Sequence, residues 1–378
     1  MIKLQRMRSL SPNTQSPLSG VVVLDTSESI AGQYAGRLLA MHGADVLLME
    51  PPGGTRTRTM TPRTSDADSY LFRHLNQGKR SVALDPSTDR ELLRGLVKRA
   101  DVILRGPDSP PMGSVPDSAI DCEVRDFPTS GPYRDWQGSE LIHYALSGTM
   151  NATGDITRKP IYGVGRRSSY ATGTSAYITV VSALWERRSS GRGQHVEATV
   201  FESLAAMGQN LISQYSYNGT AETRAKYPGF LAMLQCKDAW VIMFAIRGWP
   251  TMCRVFGLEE LIDDPRFLTS GDRLANWEAA VEMFRGPAST MLADDVVAQA
   301  QAGRVSAERV SSLSDLVGSQ QWSARSMLRT VPSTDGQREE VAMSRIFTNS
   351  SADTEVRFAS PCYGDDVVFA QSIAGESK

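Results

Sequence analysis

Short apolar runs alternate with helically spaced apolar positions along the first hundred residues. Residues 21–25 form a β-branched run between Gly20 and the polar pair Thr26–Ser27, the pattern of a strand buried on both faces. Ala35, Leu38, Leu39 and Met41 then recur at helical spacing, so 31–41 is predicted as a helix. A second strand over 44–49 ends in the turn Glu-Pro-Pro-Gly-Gly at 50–54. The alternation repeats as a strand at 81–84, a helix at 88–99 and a strand at 101–104. Such alternation implies right-handed crossovers and a parallel sheet. Ligands on these sheets sit beyond the carboxyl ends of the strands, so loops at 26–32, 50–56 and 105–112 are expected to line a crevice.

Farther on, a long helix over 173–188 carries small residues early and Trp185 late. A strand over 194–200 follows, and Phe201 opens another helix. Residues 218–230 are turn-rich and read as a hinge. Beyond it stand a strand at 239–245, a turn at 263–267 and an Ala-rich helical stretch near 276–302. The expected division is a flexible tail at 1–17, a large domain at 18–217, a small domain at 218–330, and a return to the first lobe over 331–378.

Bulk properties narrow the classes. At 378 residues the chain can build a large core and two subdomains. A net charge of −2 gives no reason to expect nucleic acid or an anionic membrane as partner. No run reaches the roughly 18–20 apolar residues of a membrane span. The first 17 residues lack the apolar block of a signal peptide, which points to a cytoplasmic protein. Cys122, Cys236, Cys253 and Cys362 show no CxxC spacing and read as reduced, buried thiols, with no metal site.

The stretch Ala-Leu-Trp-Glu-Arg-Arg-Ser-Ser-Gly-Arg-Gly-Gln-His-Val-Glu-Ala at 183–198 resembles the central signature of family III CoA-transferases and their sister α-methylacyl-CoA racemases. Leu-Ser-Gly-Val-Val-Val-Leu-Asp (18–25), Gly-Ala-Asp-Val (43–46), Asn-Gln-Gly-Lys-Arg-Ser-Val (76–82), Cys-Lys-Asp-Ala-Trp (236–240) and Asp-Pro-Arg-Phe (264–267) follow the family's order. The resemblance implies an α/β fold: a Rossmann-like parallel-sheet large domain, a small α/β domain, and an interlocked dimer. It implies coenzyme A in the large-domain crevice, with Ser29, Ile30 and Ala31 at the entrance and Arg56, Lys79 and Arg80 as cations near the phosphates. Gln33 replaces the usual proline, and Arg-Gly-Pro at 105–107 replaces a cofactor-touching pair.

In the transferases an Asp, four residues before the glycine that opens the long helix, carries the acyl group. Counting back from Gly173 gives Ser169. A carboxylate can become an acyl anhydride and then a CoA thioester, because its carbonyl carbon survives each transfer. Ser169 has no such carbon, so the usual cycle is excluded at this position. The racemase pattern is also missing: its His falls on Ser139 and its Glu on Arg247.

Glu140 is the closest surviving carboxylate in the family frame, either capping a helix start or serving as a relocated nucleophile. His143 could serve Ser169 as a base or be a structural residue. The readings are thus a CoA-transferase-family enzyme on acyl-CoA and carboxylic acids, a Ser-based acyl-CoA thioesterase or acyltransferase, or two non-catalytic roles. Those two are the pseudoenzyme subunit of a heteromeric CoA-transferase and a stand-alone acyl-CoA-binding protein; the assembly is left open between a homodimer and a heterodimer with an Asp-bearing paralogue.

Overall fold

The computed structural model describes residues 16–65, 68–220, 224, 231–244, 248–344, 346, 348–350 and 354–375. The chain divides into two compact units, one of residues 1–154, 159–223 and 320–378, the other of residues 155–158 and 224–319.

The first unit is built on β1 (Val22–Asp25), α1 (Ile30–Met41), β2 (Asp45–Glu50), α2 (Tyr70–Asn76), β3 (Arg80–Ala83), α3 (Arg90–Arg99), β4 (Val102–Arg105) and β5 (Ile120–Arg125). It continues through α4 (Glu140–Leu146), α5 (Thr149–Ala152), α6 (Arg167–Ser190), β6 (His195–Thr199), α7 (Val200–Met207) and α8 (Gln209–Asn218). The six strands are parallel in the order β3-β2-β1-β4-β5-β6. Successive residues of β1 face opposite sides: Val23 packs with α1 and α6, whereas Leu24 packs with α3 and the last helix, Val367–Gly375. Full burial on both faces is why these strands read as unbroken apolar runs.

The strand order reverses between β1 and β4, which opens a crevice above their carboxyl ends. Two loops meet there. Thr26 Oγ1 has Leu104 O at 3.0 Å and Ser109 Oγ at 2.9 Å as acceptors for its one proton, and Ser109 Oγ donates to Thr26 O at 2.9 Å.

The second unit carries an antiparallel sheet of β7 (Leu231–Gln235), β8 (Trp240–Phe244) and β9 (Ser306–Arg309) in the order β7-β8-β9. Helices Trp249–Val255, Trp277–Thr290 and Ala293–Ala302 cover it around Trp249, Phe267 and Phe284. After residue 319 the chain rejoins the first unit, where Leu328–Pro332 and Glu339–Met343 pair antiparallel.

The structure departs from the sequence reading in three places. Strand β5 is absent from that reading because Asp121 and Glu123 break its apolar pattern. Arg105 on β4 pairs with both, at 2.7 and 2.9 Å, and Arg125 adds a second cation to Glu123 at 2.7 Å. The long helix begins at Arg167, not Gly173, which puts Ser169 in its first turn. Cys122, Cys236 and Cys253 are buried free thiols, but Cys362 is exposed. Most of the expected hinge at 218–230 lies outside the described residues. Among them, no helix is long and apolar enough to cross a membrane.

Candidate active site

Gly173 sets the geometry around position 169. A Cβ there would stand 2.6 Å from Ala31 O and 2.9 Å from the Tyr34 ring, so only glycine lets α6 lie this close to α1. The contact brings the head of α6 beside the first turn of α1 at the sheet's switch point. Ser29 caps α1, its hydroxyl accepting from Gly32 N at 3.0 Å. Tyr34 and Tyr170 meet edge to face with centroids 4.7 Å apart, and His74 packs on Tyr170 at 5.9 Å. Arg37 lies buried beneath, donating to His74 O, to Gln77 Oε1 at 2.9 Å and to Met343 O at 3.0 Å. Burial raises the pKa of both tyrosines and lowers the Arg37 guanidinium to about 10.

Helix α6 has 24 residues and no side-chain cap of its own at Arg166. Glu140, the first residue of α4, fills that role from outside the helix. Its Oε1 accepts Ser169 N at 3.2 Å and Ser169 Oγ at 2.5 Å. Its Oε2 accepts Ser168 N at 3.2 Å and the Ser168 hydroxyl. The first-turn N–H groups of a helix lack intrahelical partners and carry partial positive charge, so a carboxylate is stabilised there. Two peptide donors and two hydroxyls therefore hold a half-buried anion beside residue 169.

His143 is not brought to Ser169. Its buried ring turns toward Asp126, with Nε2 3.0 Å from Asp126 Oδ1, and that contact is the first cause holding the Asp126 carboxyl low. Glu140 and His143 stand three residues apart on α4, yet their side chains serve different neighbours, Ser168 and Ser169 for one and Asp126 for the other. A Ser169–His143 dyad does not exist in this geometry.

The expected cations also separate. Lys79 is fully buried, and its ammonium meets Asp25 Oδ2 at 2.7 Å, Gln33 O at 2.7 Å and Asn76 Oδ1 at 2.9 Å. Three acceptors exhaust its three protons, so it cannot meet a phosphate. One of those acceptors is the Gln33 backbone carbonyl, which a proline would also offer; what the Gln33 side chain adds is Oε1, accepting from Thr57 Oγ1 at 2.8 Å and Asn76 Nδ2 at 3.1 Å. Arg80 bonds Asp366 at 3.0 Å and lies 4.0 Å from the Phe369 ring centroid, which turns it toward the last helix. Arg56 alone of the three is exposed, its N–H donating to Glu28 Oε2 at 3.3 Å. Ile30 and Ala31 are buried in the first turn of α1.

A cavity of about 920 Å³, absent from the sequence reading, opens beside the α6 head. Tyr144, Arg167, Tyr170, Leu204, Leu211 and Ile212 are among its lining. Its signal in the sequence is the spacing Arg167, Tyr170, Ala171, Thr174, one stripe of a helix. Among the described residues no group of three His, Cys, Asp or Glu is arranged to hold a metal ion. Arg247, the position of the racemase Glu, lies outside the described residues.

This frame matches a known family. Residues 18–367 match the family model CoA-transferase family III, and the chain belongs to that family. It is 26% identical over 350 residues to the succinate–glutarate CoA-transferase of Agrobacterium fabrum, covering 86% of this chain and 88% of that protein. It is 30% identical over 342 residues to the succinyl-CoA:mesaconate CoA-transferase of Haloarcula hispanica, covering 83% and 85%. A crystal structure of a CAIB/BAIF family protein from Brucella suis superposes with a TM-score of 0.87 at 26% identity, covering 95% and 100% of the two chains.

Proposed function

We propose that this chain acts on acyl-CoA thioesters and carboxylic acids, with Glu140 supplying the carboxylate that Ser169 cannot. The observation that carries this reading is the 2.5 Å contact between Glu140 Oε1 and Ser169 Oγ. A carboxylate is present beside position 169, but it arrives from α4 instead of α6. The Ser169 hydroxyl can rotate away and free a lone pair on Oε1. That oxygen then attacks the acyl carbonyl, forming a glutamyl anhydride as the C–S bond breaks and CoA thiolate leaves. The thiolate next attacks the glutamyl carbonyl carbon, releasing the acid and leaving a glutamyl thioester. An incoming carboxylate reverses both steps. The Ser168 and Ser169 N–H groups face the charge that develops on Glu140.

Coenzyme A belongs in the crevice at the switch point in this reading, near Ser29, Ile30, Ala31 and the exposed Arg56. The working assembly is a dimer, of two copies or with an Asp-bearing paralogue. The 71% exposed Trp185 and 91% exposed Tyr217 support a covered surface. The test is calorimetric titration with CoA and acyl-CoAs, then a transfer assay from succinyl-CoA to a panel of acids. Glu140→Gln should abolish transfer and leave CoA affinity intact. Unchanged transfer in Glu140→Gln would sink the assignment, as would failure to trap a Glu140 adduct with hydroxylamine.

The same contact favours a second reading, since Ser169 already donates its proton to a carboxylate. In that reading Glu140 takes the Ser169 proton, Oγ attacks the thioester carbonyl as the C–S bond breaks, CoA leaves as the thiol with that proton, and water hydrolyses the acyl-serine to the free acid.

A further inference from the structure

We propose that the cavity beside the α6 head receives the acyl part of a CoA thioester, and that it suits a bulky, mostly apolar acyl group ending in a carboxylate bound by Arg167. The inference rests on the preceding reading and adds the substrate class. Size is the first argument. About 920 Å³ stands at the upper end of the roughly 300–1,000 Å³ of ligand pockets, far beyond what a two-carbon acyl group fills.

Chemistry is the second. Leu204, Leu211 and Ile212 of α7 and α8 give an aliphatic wall, and Tyr144 and Tyr170 add rings with a polar tip. Arg167 is the one charged residue among the described residues lining the cavity, and no carboxylate lines it. An exposed guanidinium at the rim of an apolar cavity selects an anionic end through charge-assisted bonds.

Continuity with the reacting pair is the third argument. Arg167 and Tyr170 flank Ser169 on α6, and Tyr144 stands one turn after Glu140 on α4. Arg167 and Glu140 act on the Tyr144 hydroxyl with opposite sign, so the phenol lies under the influence of both. An acyl chain entering here would have its carbonyl at Glu140 and fold back along the aliphatic wall, setting its terminal carboxylate on the exposed Arg167 guanidinium at the same end of α6.

The experiment is calorimetry on the full chain with CoA, octanoyl-CoA and suberoyl-CoA, which share chain length and differ in the terminal carboxylate. The native chain should bind suberoyl-CoA tightest and CoA weakest. Arg167→Met should weaken suberoyl-CoA by roughly 10- to 100-fold while leaving octanoyl-CoA and CoA unchanged. Thr174→Phe, on the exposed side of the cavity-lining stripe, should weaken both thioesters and spare CoA. CoA binding without discrimination among the three ligands would overturn this inference alone. So would a Thr174→Phe variant with native thioester affinity and an altered sedimentation coefficient, because the cavity would then be a contact between copies of the chain. No binding of CoA or either thioester would overturn the underlying functional reading as well.

Discussion

Two carboxylates of the first unit are held by similar numbers of donors and face opposite fates. Asp25, at the end of β1, takes Lys79 Nζ at 2.7 Å on one oxygen and Ser27 N and Oγ at 3.1 and 2.6 Å on the other. Both Asp25 and Lys79 side chains have 0% exposure. Glu140 takes four donors, all uncharged, and is half-buried. The first site cancels its charge and is sealed, so it can only hold β1, α1 and β3 together. The second has no cation among its donors and is only half-buried, so its charge is stabilised by peptide dipoles and hydroxyls alone. Donor count alone does not separate a structural carboxylate from a reactive one; the charge of the donors and the access do.

The most damaging way to test this contrast is Lys79→Met. Burial pulls the ammonium's pKa down against the upward pull of Asp25. Removing the cation leaves an unpaired anion in a sealed core, at a cost of about 3–5 kcal/mol in denaturant unfolding. Glu140→Gln should cost well under half as much, because no buried cation loses its partner and Gln keeps a carbonyl oxygen as acceptor. Equal losses would erase the distinction.

Ser169→Asp probes the other member. The new carboxylate would stand against Glu140, and two like charges about 4 Å apart repel by roughly 1–4 kcal/mol between water-like and surface-like screening. One of the pair should hold a proton in the folded state, raising its pKa above the unfolded value of about 4. The folded variant then binds more protons than the unfolded one across that window. Its stability relative to the native chain is retained at low pH and lost as pH rises through the raised pKa. Adding Glu140→Gln should restore a flat profile, which stability curves between pH 4 and 8 would check.

His74, half-buried over Arg37, gives a pH test of opposite sign. Burial first, and Arg37 second, push its imidazole down to about 3. Unfolded His titrates near 6.5, so the unfolded chain takes up the proton first as pH falls. The stability this neutral ring contributes is present above about 6.5 and lost below it, by about 2 kcal/mol at pH 5. His74→Phe should flatten that slope.

Much of the fold was legible because strands buried on both faces must be apolar and helices must repeat at their own spacing. Strand β5 was hidden because ion pairs with Arg105 satisfy its charges, and pairing across strands leaves no local mark. The site was legible in part. Position 169 followed from its distance to Gly173, and Glu140 from the family frame. Whether Lys79 or Arg80 reached a ligand depended on Asp25, Asn76 and Asp366, which only the folded chain brings to them. His143 likewise found Asp126, 17 positions upstream.

The smallest and most discriminating effect is that of Ser169→Ala. It removes one hydroxyl donor to Glu140 and leaves the Ser169-position N–H in place, so stability should fall by only about 1 kcal/mol. Its kinetic consequence separates the two chemistries of the same contact. Where Glu140 attacks the thioester, losing the hydroxyl frees a lone pair on Oε1, and transfer persists at a similar or higher rate. Where Ser169 attacks, the rate falls by orders of magnitude with the same small stability change. Single-turnover assays of Ser169→Ala and Ser168→Ala, run beside Glu140→Gln, supply the comparison. Ser168→Ala removes the symmetrical donor on Oε2 and controls for weakened capping of α6. A loss in both Ser169→Ala and Glu140→Gln would assign the nucleophile to the serine with Glu140 as its base; a loss confined to Glu140→Gln would assign it to the carboxylate.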